Sequence, residues 1–179
     1  NPTALEGLTE REKADLGAFE GNAQGFRILT RLQMEPDGGM RLTAATLAAF
    51  TKYPRESGPA IAGLKKHGFF QADCPVFEKV AAATGLQTAV IGADGARSWT
   101  RHPLALLVEA ADDICYAILD LEDGLRLGYV DQKEGEELLT GIANTKELRD
   151  TSKLDARAKA AYLRSRAISS LIDQTVRVF

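Results

Sequence analysis

The run from His102 to Gly128, HPLALLVEAADDICYAILDLEDGLRLG, constrains this chain more than any other stretch. Pro103 suits the first turn of a helix, and Gly128 suits the position just past its end. Between them Leu104, Leu107, Val108, Ala111, Ile114, Cys115, Ile118, Leu121 and Leu125 recur at steps of three and four. That spacing predicts one long helix with one buried face. Cys115 falls on this stripe and is expected to be a buried thiol. Asp112, Tyr116 and Asp120 are four apart, so they stack along one side. Asp112 lies at the edge of the apolar stripe. A carboxylate there needs a cation, a metal or a hydrogen-bond donor, which makes it the first residue to question.

The 179 residues are enough for one domain with a sizeable core. A net charge of −3 gives no reason to make nucleic acid or a membrane the main partner. Two cysteines, Cys74 and Cys115, do not make a disulfide framework, and a reduced cytoplasmic protein is expected. No apolar run is long enough to span a bilayer. The chain starts without Met and stops at Val176-Arg177-Val178-Phe179 within an amphipathic pattern. The expectation is an internal piece of a longer protein.

Thr9 and Glu12 suit a helix start, and Phe19 to Leu32 has a helical period. Gly21 and Gly25 lie on one face of that segment, where another backbone or a ligand can come close, or where two helices pack tightly. Pro36 to Gly39 reads as a turn. Thr43 caps a helix from Ala44 to Tyr53, which Pro54 ends. Residues 54–70, rich in Pro, Gly and Lys, read as a surface loop. Asp73 is expected to cap a helix from Pro75 to Thr84, closed by Gly85. Gln87 to Ile91 reads as a short strand and Gly92 to Arg101 as a loop. Asp131 with Glu134, and Ser152 with Asp155, start the last two helices. The final helix places Leu154, Ala158, Ala161, Ile168, Leu171, Ile172 and Thr175 on one side. Arg157, Lys159, Arg164 and Arg166 occupy the rest, as a solvated face or an anion site. The fold expected is mostly or entirely helical.

Several chemistries are excluded. There is no phosphate loop of the Walker type, no GxGxxG after a strand, no CxxC pair and no GxSxG elbow. The two histidines, His67 and His102, have no second ligand at HxxxH spacing. His102 reads as a helix cap or surface residue, His67 as solvated. What remains is a set of polar groups in apolar helices: Asn22, Lys52, Tyr53, Asp112, Tyr116 and Asp120. Two carboxylates and a tyrosine could hold a metal and a sugar hydroxyl, with a lysine for phosphate. Equally, such a column is satisfied by Lys or Arg from a neighbouring helix.

Four stretches together resemble one family, the deoxynucleoside triphosphate triphosphohydrolases (dGTPases) of the HD metal-hydrolase superfamily. They are FEGNAQGFRILTRLQ (19–33), GGMRLTAATLAAFTKYP (38–54), KKHGFFQAD (65–73) and RHPLALLVEAADDICYAILDLEDGLRLG (101–128). They occur in the family's order at similar spacing, and RSRAISSLI (164–172) fits less specifically. The resemblance implies an all-α, HD-domain-like helical bundle. It also implies hydrolysis of a deoxynucleoside triphosphate, dGTP foremost, to the nucleoside and intact triphosphate. Asp112 matches the family's last metal ligand for a divalent Mg or Mn ion. Tyr116 and Asp120 match residues at the deoxyribose, Asn22 one in the nucleotide pocket, and Lys52 and Tyr53 residues facing the triphosphate. A homo-oligomer is implied, and single-stranded nucleic acid is a weaker partner.

The family's other metal ligands, a His and a His-Asp pair, precede its FEGNAQ segment and are not matched here. So does its His/Glu catalytic pair. A hydrolytic metal needs about three protein ligands. The expectation is therefore the second half of a catalytic core, a single helical fragment over residues 1–179. Alone it is expected to be inactive, to hold no metal and to contain no catalytic residue. The competing expectation is a non-catalytic helical module for regulation or oligomerisation, with a vestigial or allosteric nucleotide pocket.

Overall fold

The computed structural model describes residues 5–34, 38–58, 65–92, 95–143 and 148–179. Among these are seven α-helices and one two-stranded antiparallel sheet. They form two compact units, one up to Leu106 and one from Leu107 onward.

In the first unit α1 (Glu10–Gly17) opens on a capping box: Thr9 accepts from the Glu12 amide and the Glu12 carboxylate accepts from the Thr9 amide. α2 (Gly21–Arg27) follows, extended by a π-helical turn, Ile28–Leu32. The expected helix over Phe19 to Leu32 is thus present but changes winding after Arg27. Gly25 answers the question left open for the glycines. A Cβ there would lie 2.8 Å from the Phe50 ring, so at this position the close approach is helix packing. α3 (Ala44–Phe50) begins on Thr43, whose side chain accepts from the Thr46 amide. It ends three residues before the expected Tyr53, because Thr51 already leaves helical geometry, with ψ at 83°.

α4 (Cys74–Thr84) starts and ends as expected, with Gly85 at φ 73° closing it. Its cap is a correction. Asp73 makes no side-chain capping bond. Its carboxylate is fully buried and faces Arg27 Nε at 2.9 Å and Arg31 Nε at 2.8 Å. β1 (Thr88–Ile91) is the expected strand. It pairs with β2 (Arg97–Trp99), which lies inside the segment expected to be a loop.

The largest correction concerns residues 54–70. Pro54, Arg55, Glu56 and Ser57 are buried, and so are His67, Gly68, Phe69 and Phe70. Backbone pairing explains it. Glu56 donates to Arg97 O (2.9 Å) and Trp99 to Pro54 O (2.8 Å), while Ser57 donates to Phe69 O (3.0 Å). Residues 54–57 therefore run between β2 and the segment at 68–69. This places Phe69 in an aromatic core, stacked on Phe77 at 4.4 Å with Trp99 and Phe26 around them.

In the second unit lies nearly all of α5 (Ala105–Leu127), followed by α6 (Gln132–Ile142) and α7 (Ala156–Val178). Gly128, at φ 75°, follows α5 as expected. Asp131 caps α6 as expected, whereas α7 begins at Ala156 on an Asp155 cap, two residues after the Leu154 start expected from Ser152 and Asp155. The core here is Ile118, Leu139, Leu163 and Ala167, with Leu121, Tyr162, Ile168 and Leu171 against it. Two burial expectations are corrected. The buried face of α7 centres on Leu163 and Ala167, which the expected stripe omits, while Ala158 and Ile172 are exposed. On α5 only Ile118 of the stripe is fully buried. Leu104, Val108, Ala111 and Cys115 are exposed, because the cluster that covers the stripe begins at Ile118.

Candidate functional site

The expected site residues fall in both units. Asn22, Lys52 and Tyr53 belong to the first, and Asp112, Tyr116 and Asp120 to the second.

Asn22 stands in the first turn of α2 and is half-buried. Its Nδ2 donates to Glu20 Oε1 at 2.7 Å, and Glu20 is also the cap that accepts from the Asn22 amide. One of the two Nδ2 hydrogens is thereby committed.

Lys52 and Tyr53 follow α3 on the turn that feeds the 54–57 segment. Together they line a pocket of about 160 Å³ with Pro54, Lys66, Val90 and Arg101. Lys52 Nζ lies 5.8 Å and Lys66 Nζ 5.4 Å from the Tyr53 ring centroid, so two ammonium groups border one phenol. Lys66 and Arg101 were not legible as site residues. They come from separate stretches of chain, and only the 54–57 pairing brings them to Lys52. The lysines and Arg101 border an opening whose exposed lining is otherwise mostly apolar.

Asp112, Tyr116 and Asp120 occupy successive turns of α5 as the four-residue spacing requires, and all three are exposed. Water therefore solvates Asp112, and the compensating partner expected for a carboxylate beside a buried face is not needed. Among the described residues no group of three or more His, Cys, Asp or Glu is placed to hold a metal ion. Asp112 alone would supply one ligand, fewer than a mononuclear hydrolytic centre needs.

Two basic residues of α7 are engaged within the second unit. Lys159 pairs with Glu136, and Arg164 with Glu122. Arg157 lines a cleft of about 590 Å³ beside Arg126 and Asp123. His102 caps the start of α5, its Nδ1 accepting from the Leu104 amide at 3.2 Å.

His67 is buried, which corrects the expectation of a solvated side chain: it is 6% exposed, and its Nε2 has no hydrogen-bond partner among the described residues. Burial, then the nearby Arg55 charge, lower its pKa from the ordinary 6.5, against Glu20 and Asp15. The sign follows from linkage. A histidine less basic when folded binds fewer protons than the unfolded chain, so stability rises with pH. The contribution is complete above 6.5 and is lost as pH falls from there toward the folded value. Thermal melting of the chain should drop over that window, and His67→Gln should flatten the drop. An equal drop in the variant would assign it to another group. Cys74, by contrast, is chemically quiet: burial pushes its thiol up to about 11, although Arg97 Nη2 sits 3.0 Å from the sulfur.

The chain is mostly helical, with a lysine-bordered pocket in the first unit and an exposed Asp–Tyr–Asp column in the second. It resembles the dGTP triphosphohydrolase family. A deoxyguanosinetriphosphate triphosphohydrolase-like protein of Pseudomonas aeruginosa is 43% identical over 98% of this chain and 40% of its own length. One of the same description from Synechocystis is 44% identical over 94% of this chain and 39% of its own. One from Listeria monocytogenes is 40% identical over 73% and 26%. The chain thus spans about 40% of the length of the first of these relatives. No family model matches it.

Proposed function

We propose that this chain is part of a metal-dependent deoxynucleoside triphosphate triphosphohydrolase that splits dGTP into deoxyguanosine and triphosphate. The observation that carries the reading is the pairing of Lys52 and Lys66 around Tyr53 in one pocket. It occurs in a chain 43% identical to a protein described as deoxyguanosinetriphosphate triphosphohydrolase-like. Lys52 and Lys66 offset the charge of the triphosphate, and the Tyr53 hydroxyl donates to a phosphate oxygen. Asn22 Oδ1 accepts from the nucleotide. Tyr116 packs on the deoxyribose and Asp120 accepts from its 3′-hydroxyl. Asp112 is one ligand of a divalent Mg or Mn ion, which when bound polarises the α-phosphorus as a Lewis acid. The remaining ligands and the acid–base pair are supplied outside this chain, so the chain alone is inactive. The working protein is a cytoplasmic homo-oligomer.

Calorimetry with inorganic triphosphate tests the pocket directly. A charged hydrogen bond contributes roughly 1.5–3 kcal/mol, so Lys52→Ala should weaken binding about tenfold to a hundredfold. Unchanged affinity removes Lys52 from the site. In a full-length relative, alanine at the position aligned with Asp112 should abolish metal-dependent release of triphosphate. Parental activity in that variant would contradict the ligand assignment.

A further inference from the structure

We propose that the pocket bordered by Lys52, Lys66 and Arg101 takes an aromatic phosphate ester, with its ring lodged inside and its phosphate at the lysines. This rests on the reading of the two lysines as a phosphate site.

The walls favour a ring. Tyr53, Pro54, Ala89, Val90 and Trp99 give the pocket a mostly apolar exposed lining. A bare phosphate gains little from such a surface. An apolar body that covers it is favoured in proportion to the area removed from water. The volume, about 160 Å³, is close to that of a cavity of about 150 Å³ that accepts one benzene. One six-membered ring therefore fills it. Strand periodicity alone would not bring both Ala89 and Val90 here, because consecutive residues of a regular strand face opposite ways. The register between β1 and β2 shifts between Thr88, opposite Trp99, and Val90, opposite Ser98. Ala89 is the extra residue of that bulge, which lets both neighbours line one pocket. Trp99 also packs on Phe69 and Phe77, with centroids at 5.8 and 5.2 Å, so this wall is fixed before any ligand arrives.

The rim favours an anion. Lys52 Nζ and Lys66 Nζ stand 5.8 and 5.4 Å from the Tyr53 ring centroid, and Arg101 adds a guanidinium at the same opening. Among the described residues that line the pocket none is acidic. An apolar interior under a cationic mouth is complementary to a molecule with a flat apolar body and one charged end. Such an ester and inorganic triphosphate share the lysines, so each displaces the other.

Trp99 is the only tryptophan, so the intrinsic fluorescence of the whole chain reports on the pocket wall. Phenyl phosphate is titrated against methyl phosphate, which has the same charge and lacks the ring. Phenyl phosphate should bind about tenfold or more tightly, because its ring surface is buried. It should shift the emission to the blue as the ring replaces solvent beside Trp99, and inorganic triphosphate should displace it. Ala89→Leu, on the exposed strand β1, fills the pocket and should abolish the preference for phenyl over methyl phosphate while triphosphate still binds. Val90→Leu takes its place if that variant does not fold. Deoxycytidine monophosphate against deoxyribose phosphate then separates two sources of the ring. A preference for the nucleotide identifies a pyrimidine base, and a preference for phenyl phosphate alone identifies a ring esterified directly; either supports the inference. Equal affinity for phenyl and methyl phosphate, with triphosphate bound, overturns the inference and leaves the lysine reading standing. Failure of every anion to bind overturns both.

Discussion

Replacing Asp73 with alanine should destabilise the first unit by about 3 kcal/mol, the lower end of the cost of breaking a buried ion pair. The carboxylate is fully buried and is met by the Nε groups of Arg27 and Arg31. Arg27 also lies over the Phe70 ring at 4.6 Å, and Arg31 donates to Ala72 O. Removing the acid leaves two guanidinium groups side by side without the carboxylate they share. The figure sits at the lower end because both arginines are partly exposed and can turn toward solvent. Asp73→Asn keeps the shape and one acceptor, and should lose less. Urea unfolding of the three proteins measures the difference. A loss under about 1 kcal/mol for Asp73→Ala would place this pair with ordinary surface ion pairs. The consequence reaches the site, because Arg27 ends the helix that carries Asn22.

Gly68→Ala is the second large effect. A Cβ at this position would stand 2.2 Å from the Tyr53 carbonyl oxygen and 2.6 Å from Thr51 Cγ2. The first of these is backbone and cannot rotate away. Relief requires moving residues 53 and 68 apart, which breaks into the pairing that makes the 54–57 segment part of the core. Overpacking of this kind typically costs about 1–3 kcal/mol, and a backbone obstacle puts it at the upper end. Tyr53 and its neighbour Lys52 shift with the strain, so triphosphate affinity should fall together with the melting temperature. Gly21→Ala is the control, since a Cβ there meets nothing within 4 Å. It should melt no lower than the parent and bind triphosphate equally. Gly68→Ala behaving like the control would mean that the Tyr53 backbone does not lie against it.

The helix starts were legible because capping is local chemistry. Thr9 with Glu12, Thr43 and Asp131 each accept from an amide two or three residues ahead, and the short range shows in the sequence. The 54–70 stretch was not legible for the opposite reason. Its Pro, Gly and Lys content reads as solvent-facing, yet Arg55 is buried because Gly58, Lys65 and Lys66 offer it backbone carbonyls. Those partners become neighbours only after folding, and no composition rule anticipates them. Asp73 shows the same limit. An aspartate before a helix reads as a cap, but two arginines some forty residues earlier claim the carboxylate. At the candidate site, residue spacing put Asp112, Tyr116 and Asp120 on one side of α5, and resemblance singled out Lys52 and Tyr53. The spacing could not reveal Lys66 or Arg101, which reach the pocket through tertiary pairing alone.

The contrast between the two thiols turns this chain into a ready-made probe of its own site. Cys74 is buried, and its raised proton affinity keeps it from forming thiolate near neutrality, whereas Cys115 is exposed on α5. A maleimide dye or spin label added to the unmodified protein will therefore report from one position without any engineered cysteine. That position is the residue before Tyr116 and three after Asp112, so the label sits where a nucleotide or a metal would be felt.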